Sequence, residues 1–307
     1  MESTQMEFRP IRPDELNAWA EFCARTFGDQ ESRYFLNHFL DDPFRDYSGV
    51  FVAVAGTRIC ASARVFTRRV YLGGTEVSMG GIGEVCTDPD FRRMGLSGKL
   101  LAMCIEYMNS RRLAVSMLFT GRYGHYARYG WQRAARPLVK IALCAHAGEN
   151  ARAADAQSLG MEKMRALYCQ ANRGLCGVIV RDTAYWDSWL KAGADQARAL
   201  YLDGQLVGYV NAKVESGALC VNDAALLPQS RGALGALLRA AAPDPSVQAA
   251  VLPRAVCPPG EGEPQQEDSL MVRLNFPIEL AGEAITDTPA LIRFGREDWT
   301  FWNADGF

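Results

Sequence analysis

The stretch GEVCTDPDFRRMGLSGKLL, residues 83–101, holds the densest run of residues able to do chemistry. An apolar segment reaches a turn at Pro89. Arg92 and Arg93 follow, then Gly95, Leu96, Ser97 and Gly98, and helix-forming residues begin at once. A strand that turns directly into a helix leaves the first helical N–H groups without backbone partners, aimed at one point at the positive end of the helix dipole. Gly95 and Gly98 let that backbone come close to a ligand, and the two arginines add positive charge. The turn therefore suits a pyrophosphate, although it does not spell the phosphate loop G-x-x-x-x-G-K-[ST].

The elements around this turn follow from patterning. Residues 6–28 read as a short strand and an Asp-started helix that stops at Gly28, and residues 29–44 as a second helix closed by Pro43. Residues 49–87 are β-rich runs broken by Gly-Thr and Gly-Gly turns, as consecutive antiparallel strands are. A helix from Leu96 to Arg112, the buried strand AVSMLFT, the aromatic stretch GRYGHYARYGWQRA and the strand PLVKIALCA complete an α+β unit over residues 1–145. The polar, alanine-rich segment 146–160 reads as a linker. Over residues 161–255 the order partly repeats: ALCVNDAALLPQSRGALGALLRAAAP echoes the strand, Pro turn, Arg-Gly and helix of the opening stretch. The fold class expected is α+β, a mixed but predominantly antiparallel sheet flanked by helices, in two tandem units of which the second is degenerate. Residues 256–307 form a loop and a terminal segment that packs back on the body, because Trp299, Phe301, Trp302 and Phe307 lie too close together for a solvated tail. The same aromatic cluster would also suit an interface in a homo-oligomer.

Composition narrows the class. With 49% hydrophobic and 22% charged residues the chain is that of a globular protein, and a formal net charge of −2 supplies no field to recruit nucleic acid or anionic lipid. The nine cysteines are scattered without a C-x-x-C, and the three histidines lack metal-ligand spacing, so no metal site is expected. The acidic, polar start carries no signal-like stretch and no run approaches the length of a membrane span, so a cytoplasmic protein without membrane contact is expected.

The motif residues resemble a known family. VCTDPDFRRMGLSGKLL is similar to the acetyl-CoA motif R/Q-x-x-G-x-G/A of the GNAT N-acetyltransferases, with Arg92, Gly95 and Ser97 at the marked places; Ser97 departs from the usual Gly or Ala. HYARYGW resembles that family's F-Y-x-x-x-G-F stretch through Tyr126, Gly130 and Trp131. One intact unit followed by a degenerate one resembles the tandem, Eis-like (enhanced intracellular survival) acetyltransferases.

That resemblance implies an acetyl-CoA-dependent transfer to a primary amine of a small molecule or a lysine side chain, in a direct ternary complex. It implies that Val85 and Thr87 hold the pantetheine through backbone groups, with an amide near Val85 facing the oxyanion. The N–H groups of Arg93, Leu96, Ser97 and Gly98 would take the pyrophosphate with Arg92 in support. Tyr126 becomes the general acid toward the thiolate. Two bases compete. Glu84 is the carboxylate nearest the turn, in a stretch, MGGIGEV, with glycines where a side chain would be useful; strand alternation aims it away from the cleft unless a bulge turns it back. The rival, implied by the Eis-like layout and preferred here, is the terminal carboxylate of Phe307, whose aromatic ring would anchor it in an apolar cleft where burial raises its pKa. The alternative function is a non-catalytic acyl-CoA-binding sensor, which the glycine-only stretch favours and Tyr126 opposes. A nucleic-acid reading of GRYGHYARYGW lacks the basic groove it would need.

Overall fold

Strand pairing organises the chain into two large sheets that exchange strands. The computed structural model describes residues 5–190, 196–242, 244–265, 269–296 and 299–307. The first half runs β1 (Met6–Pro10), α1 (Leu16–Phe27), α2 (Ser32–Leu40), β2 (Val50–Ala55), β3 (Arg58–Leu72), β4 (Thr75–Thr87), α3 (Leu96–Ser110), β5 (Val115–Phe119), α4 (Tyr123–Ala127), β6 (Gln132–Arg133) and β7 (Leu138–Ala142). The second runs β8 (Ala151–Asp155), α5 (Met161–Asn172), β9 (Cys176–Ile179), α6 (Thr183–Asp187), β10 (Arg198–Leu202), β11 (Gln205–Glu215) and β12 (Ala218–Leu226). It closes with α7 (Leu234–Ala241), β13 (Ala249–Pro253), β14 (Glu263–Gln265), β15 (Leu270–Leu274), β16 (Ile278–Leu280), β17 (Glu283–Ile285) and α8 (Thr288–Phe294).

Local chemistry sets the borders of the first unit. Glu15 Oε2 accepts the Arg12 N–H at 2.9 Å just ahead of α1, and the helix stops at Gly28, whose φ of +80° places it in the left-handed region. The long β3–β4 hairpin turns at Gly73 and Gly74, with φ of +56° and +96°, as a two-residue connection demands. β1 to β4 are antiparallel neighbours, and β4 then pairs with β5 in parallel. Helices α1 and α2 cover one face of this sheet with Trp19, Phe22, Phe35 and Phe39, and α3 covers the other with Leu100, Leu101, Cys104 and Met108. The mixed α+β class with mostly antiparallel pairing is thus what the chain adopts. Among the described residues no helix is long and apolar enough to cross a membrane.

The units do not divide where composition changes. β7, inside the segment assigned to the first unit, pairs with β13 and β14 in the second sheet, while β15, from beyond residue 256, enters the first sheet between β5 and β6. β9 crosses over to pair with β3. The segment 146–160 contains β8, an edge strand of the second sheet bonded to β10, rather than a plain linker. Its sequence ARAAD has no β-branched residue, so pairing and not propensity makes it a strand.

The terminal segment is drawn into the body by contacts from both units. The Trp299 N–H donates to Ala135 O at 3.1 Å and the Thr300 N–H to Cys176 O at 2.8 Å. Trp302 Nε1 donates to Asn172 Oδ1 at 3.0 Å. The strongest anchor is Arg181, which is fully buried: it grips Asp223 of β12 through two bonds of 2.9 Å and Asp305 through bonds of 2.9 and 2.8 Å. Burial pushes the Asp305 carboxyl above its ordinary value, with Arg181 pulling the other way. Arg181→Met would leave two carboxylates facing each other without their cation, and urea unfolding should show a loss of about 3–5 kcal/mol. Asp305→Asn should cost less, because Arg181 then keeps Asp223 and no buried charge is left without a partner.

Candidate active site

Three features of β4 build the cleft: a splay, a bulge and a row of glycines. The parallel pairing of β4 with β5 covers Met79 to Gly81 against Val115 to Met117 and then stops, while β4 runs on to Thr87. Beyond Gly81 the two strands part and open a wedge. Val85 lines it against the layer that contains Tyr126 and Trp131. Thr87 lies at its end, where its carbonyl accepts from Arg92 Nε at 3.3 Å.

The wedge leads into the Arg-Gly turn. Arg92, Arg93 and Gly95 are exposed; Arg93 and Gly95 take left-handed φ of +66° and +74°, and Gly95 is the N-cap of α3 with no side-chain capping bond. Leu96 anchors the turn in the core, and Lys99 is the first residue whose N–H bonds back, to Gly95 O at 3.3 Å. The N–H groups of Leu96, Ser97 and Gly98 have no intrahelical partner by geometry. Gly98 is small for a reason not foreseen: a Cβ there would stand 2.2 Å from the Tyr129 hydroxyl oxygen. Ser97 keeps the outward place beside it.

Tyr126 sits on α4, half-buried, edge-on to Trp131 with ring centroids 6.3 Å apart. Burial pushes its phenol up to about 12. The hydroxyl therefore keeps its proton through the neutral and mildly alkaline range.

The bulge decides where Glu84 points. Arg64 pairs with Gly83 and Ser62 with Cys86, so Glu84 and Val85 together oppose Ala63 alone, and Glu84 takes φ +52°. Gly81 and Gly83 already face the cleft; the extra residue puts Glu84 on that same face and sends Val85 to the α3 side. Glu84 Oε1 meets His38 Nδ1 at 3.0 Å and Arg64 Nη1 at 3.4 Å, and its Oε2 is buried without a partner among the described residues. Arg64 and Arg68, both buried, share Asp42 through bonds of 2.8 and 2.9 Å. This acid therefore belongs to the cleft wall and is not free for an incoming cation.

Two of the three glycines of MGGIGEV, Gly81 and Gly83, are the space that the chain's last described residue fills, while Gly80 faces Met108. A Cβ on Gly81 would lie 2.6 Å from the Phe307 ring, and one on Gly83 would lie 2.9 Å from the Phe307 carboxyl carbon. The ring stacks on Phe66 at 5.5 Å and is edged by Phe301 at 5.4 Å. Phe307, Glu84 and the mouth of the wedge thus meet at one stretch of β4. His38 and Trp189, 4.5 Å apart between ring centres, complete the wall from α2 and from beyond α6. Neither carries a sequence motif, and only folding brings them here. The corresponding turn of the second unit is closed: Arg231 donates to Ala255 O at 2.9 Å, and Gly235 packs against Cys144 and Ala142 of the β7 segment.

The comparisons with known proteins agree with this geometry. Residues 7–134 match the family model of the acetyltransferase (GNAT) domain. No curated protein matches the chain. Among solved structures, a probable N-acyltransferase from Enterococcus faecalis V583 is similar with a TM-score of 0.68 at 15% identity, over 89% of this chain and 76% of its own. Eis1 from Mycobacterium abscessus is similar with a TM-score of 0.64 at 15% identity, over 88% of this chain and 74% of its own. A tandem GNAT protein from the clavulanic acid biosynthesis pathway is similar with a TM-score of 0.54 at 13% identity, over 90% of this chain and 100% of its own. At these identities the likeness establishes the fold.

The glycine row yields a direct test. Neither Gly81 nor Gly83 has a positive φ, so alanine suits the backbone; at Gly81 the cost comes from the displaced Phe307 ring, whereas at Gly83 a Cβ would also stand 2.8 Å from the Phe66 ring. Gly81→Ala should speed release of Phe307 by carboxypeptidase and lower stability by about 1–3 kcal/mol. Gly174→Ala, where a Cβ meets nothing within 4 Å, should do neither.

Proposed function

We propose that the chain, whose residues 7–134 match the GNAT acetyltransferase domain and whose fold is similar to those of Eis1 and a tandem GNAT protein, transfers the acetyl group of acetyl-CoA to a primary amine in a single ternary complex. Acetyl-CoA supplies an acyl group activated as a thioester. The residues fit it: the wedge offers strand backbone along Val85 to Thr87, and the turn offers unpaired N–H groups from Arg93 to Gly98 beside two exposed arginines. Arg92 and Arg93 meet the phosphates, and a β4 amide near Val85 faces the acyl oxygen as charge develops there.

The acceptor enters from the opposite side, where Phe66, Trp189, His38 and Phe307 form an aromatic wall with two carboxylates in it. Arg64 and Arg68 already lie over Phe66 and Trp189, 3.9 and 4.9 Å from the ring centroids, so the wall holds cations of its own, and a protonated amine must lose its proton before it attacks. The terminal carboxylate of Phe307 takes that proton. The observation that supports this most is its seat against side-chain-free Gly83, at the mouth of the wedge. Glu84 is the weaker candidate, since Oε1 is already engaged by His38 and Arg64. Tyr126, on the α3 side of β4, gives its proton to the departing thiolate. The acceptor class is a small primary amine such as a polyamine or an aminoglycoside-like amine, or a lysine side chain.

Release of free CoA thiol across such amines, with acetyl-CoA titrated by calorimetry in parallel, tests the reading; binding without release from any amine would reject it. Tyr126→Phe should lower kcat by about 10²–10⁴ while acetyl-CoA affinity holds, and an equal loss of affinity would make Tyr126 structural. Because the phenol is pushed up to about 12, the acid stays protonated as pH rises, and Tyr126 should contribute no fall in kcat between pH about 8 and 10. A short extension after Phe307 should abolish transfer; full activity of the extended chain would move the base to Glu84 or water.

A further inference from the structure

His38 joins two groups that are remote in the chain. Its Nδ1 lies 3.0 Å from Glu84 Oε1 and its Nε2 lies 3.3 Å from the carbonyl oxygen of Gly306, the residue before Phe307. A carbonyl oxygen only accepts, and so does an ionised carboxylate. A neutral imidazole has a single N–H and can serve only one of them. Both bonds therefore exist together only while His38 and Glu84 hold one proton beyond neutral imidazole plus carboxylate. Imidazolium beside carboxylate meets that condition, and so does neutral imidazole beside protonated Glu84. In both forms the proton on Nε2 points at Gly306.

We propose that His38 is a positioning residue that latches the chain's terminal segment to the β4 bulge, closed while the His38–Glu84 pair holds this shared proton and open once it is lost. The proposal deepens the reading of the Phe307 carboxylate as the base and rests on it for its catalytic consequence. Deprotonation leaves one N–H for two acceptors. Glu84 carries charge and so makes the stronger hydrogen bond, which means the Gly306 bond is the one given up. The ring has little freedom to escape this choice, because Tyr34, Phe66 and Trp189 pack around it at centroid distances of 5.2, 5.3 and 4.5 Å.

The charged and titratable groups that face the pair come from five elements: Cys23 on α1 is close enough to Glu84 to feel its charge, and Arg68 on β3 lies over Phe66 and Trp189, which pack on His38. From β3, Arg64 reaches Glu84 Oε1 at 3.4 Å and the His38 backbone carbonyl at 3.3 Å. Asp42, after α2, takes another Arg64 nitrogen at 2.8 Å. Tyr34 lies one turn before His38 on α2, and the Phe307 carboxylate lies one residue beyond Gly306.

The test reads protonation and seating separately. Imidazole ¹⁵N NMR reports protons on both ring nitrogens, and with three histidines in the chain, His38 is the signal lost in His38→Gln. Hydrogen-exchange protection of the terminal segment, corrected for the intrinsic pH dependence of exchange, reports whether that segment is seated. The expected result is that this protection falls at the pH where the pair loses its proton. His38→Gln places an amide donor where Nε2 was, so protection should persist without pH dependence. His38→Asn places its donor where Nδ1 was, so protection should be low at every pH and kcat should fall roughly tenfold, the worth of one hydrogen bond. Protection that ignores the loss of the proton, or Gln and Asn variants that behave alike, would overturn the latch. If protection follows the proton but a chain extended past Phe307 stays active, the latch stands and the base assignment falls. The reverse pattern keeps the base and removes the latch.

Discussion

A guanidinium with no access to solvent, gripping carboxylates from a strand and from the terminal segment, sets the geometry of the cleft. Arg181 holds Asp223 on β12 and Asp305 near Phe307 in one plane of bonds. Two carboxylates around one cation are tolerable in a low-dielectric interior only if the bonds are short and complete. The arrangement therefore has little latitude, and Asp305 is fixed to within the reach of a hydrogen bond. Phe307 follows two residues later, so Arg181 brings it near β4 and further contacts seat it there. The second unit, whose own turn is closed, thus contributes to the cleft by anchoring what the first unit uses.

A chain end can sit on β4 because that strand has been stripped of side chains where it arrives. Gly81 and Gly83 make a shallow trough fitted to a ring and a carboxyl group, and the bulge at Glu84 brings one more carboxylate to the same face. A non-glycine residue at φ +52° carries a cost of roughly 1 kcal/mol, and eleven register pairs between β3 and β4 hold it in place. The hairpin thus supplies the surface on which the terminal segment packs.

Legibility in the sequence followed the range of the interactions. The Arg-Gly turn, the helix after it, the β3–β4 hairpin and the Tyr126 stretch are set by neighbours within a few residues, and their patterns could be read directly. The glycines of MGGIGEV were visible too, but as missing side chains; that two of them are complementary to Phe307 depends on a contact spanning more than two hundred residues of chain. His38 sits on a helix whose periodicity reports only which face is buried, and Trp189 in the turn after α6, where no pattern marks it. Ser97 was legible only as a departure from the usual Gly or Ala, and Gly98 only as a place of close approach, where a Cβ would meet the Tyr129 hydroxyl. The borders of the units failed for a related reason: β7 and β15 have ordinary strand sequences, and nothing local says which sheet receives them.

That strand exchange has a consequence for how the molecule forms. β5, which makes one wall of the wedge, has β15 as its outer neighbour, and residues 119 and 270 must meet before that edge is covered. Loop closure over such a span is slow compared with forming the hairpins and helices of the first half. During that interval the chain presents an apolar, unpaired strand edge, the kind of surface on which nascent chains associate. The region that holds the Arg-Gly turn is therefore a folding dependant of the other half, and a fragment ending near residue 134 would expose β5 in place of a finished sheet.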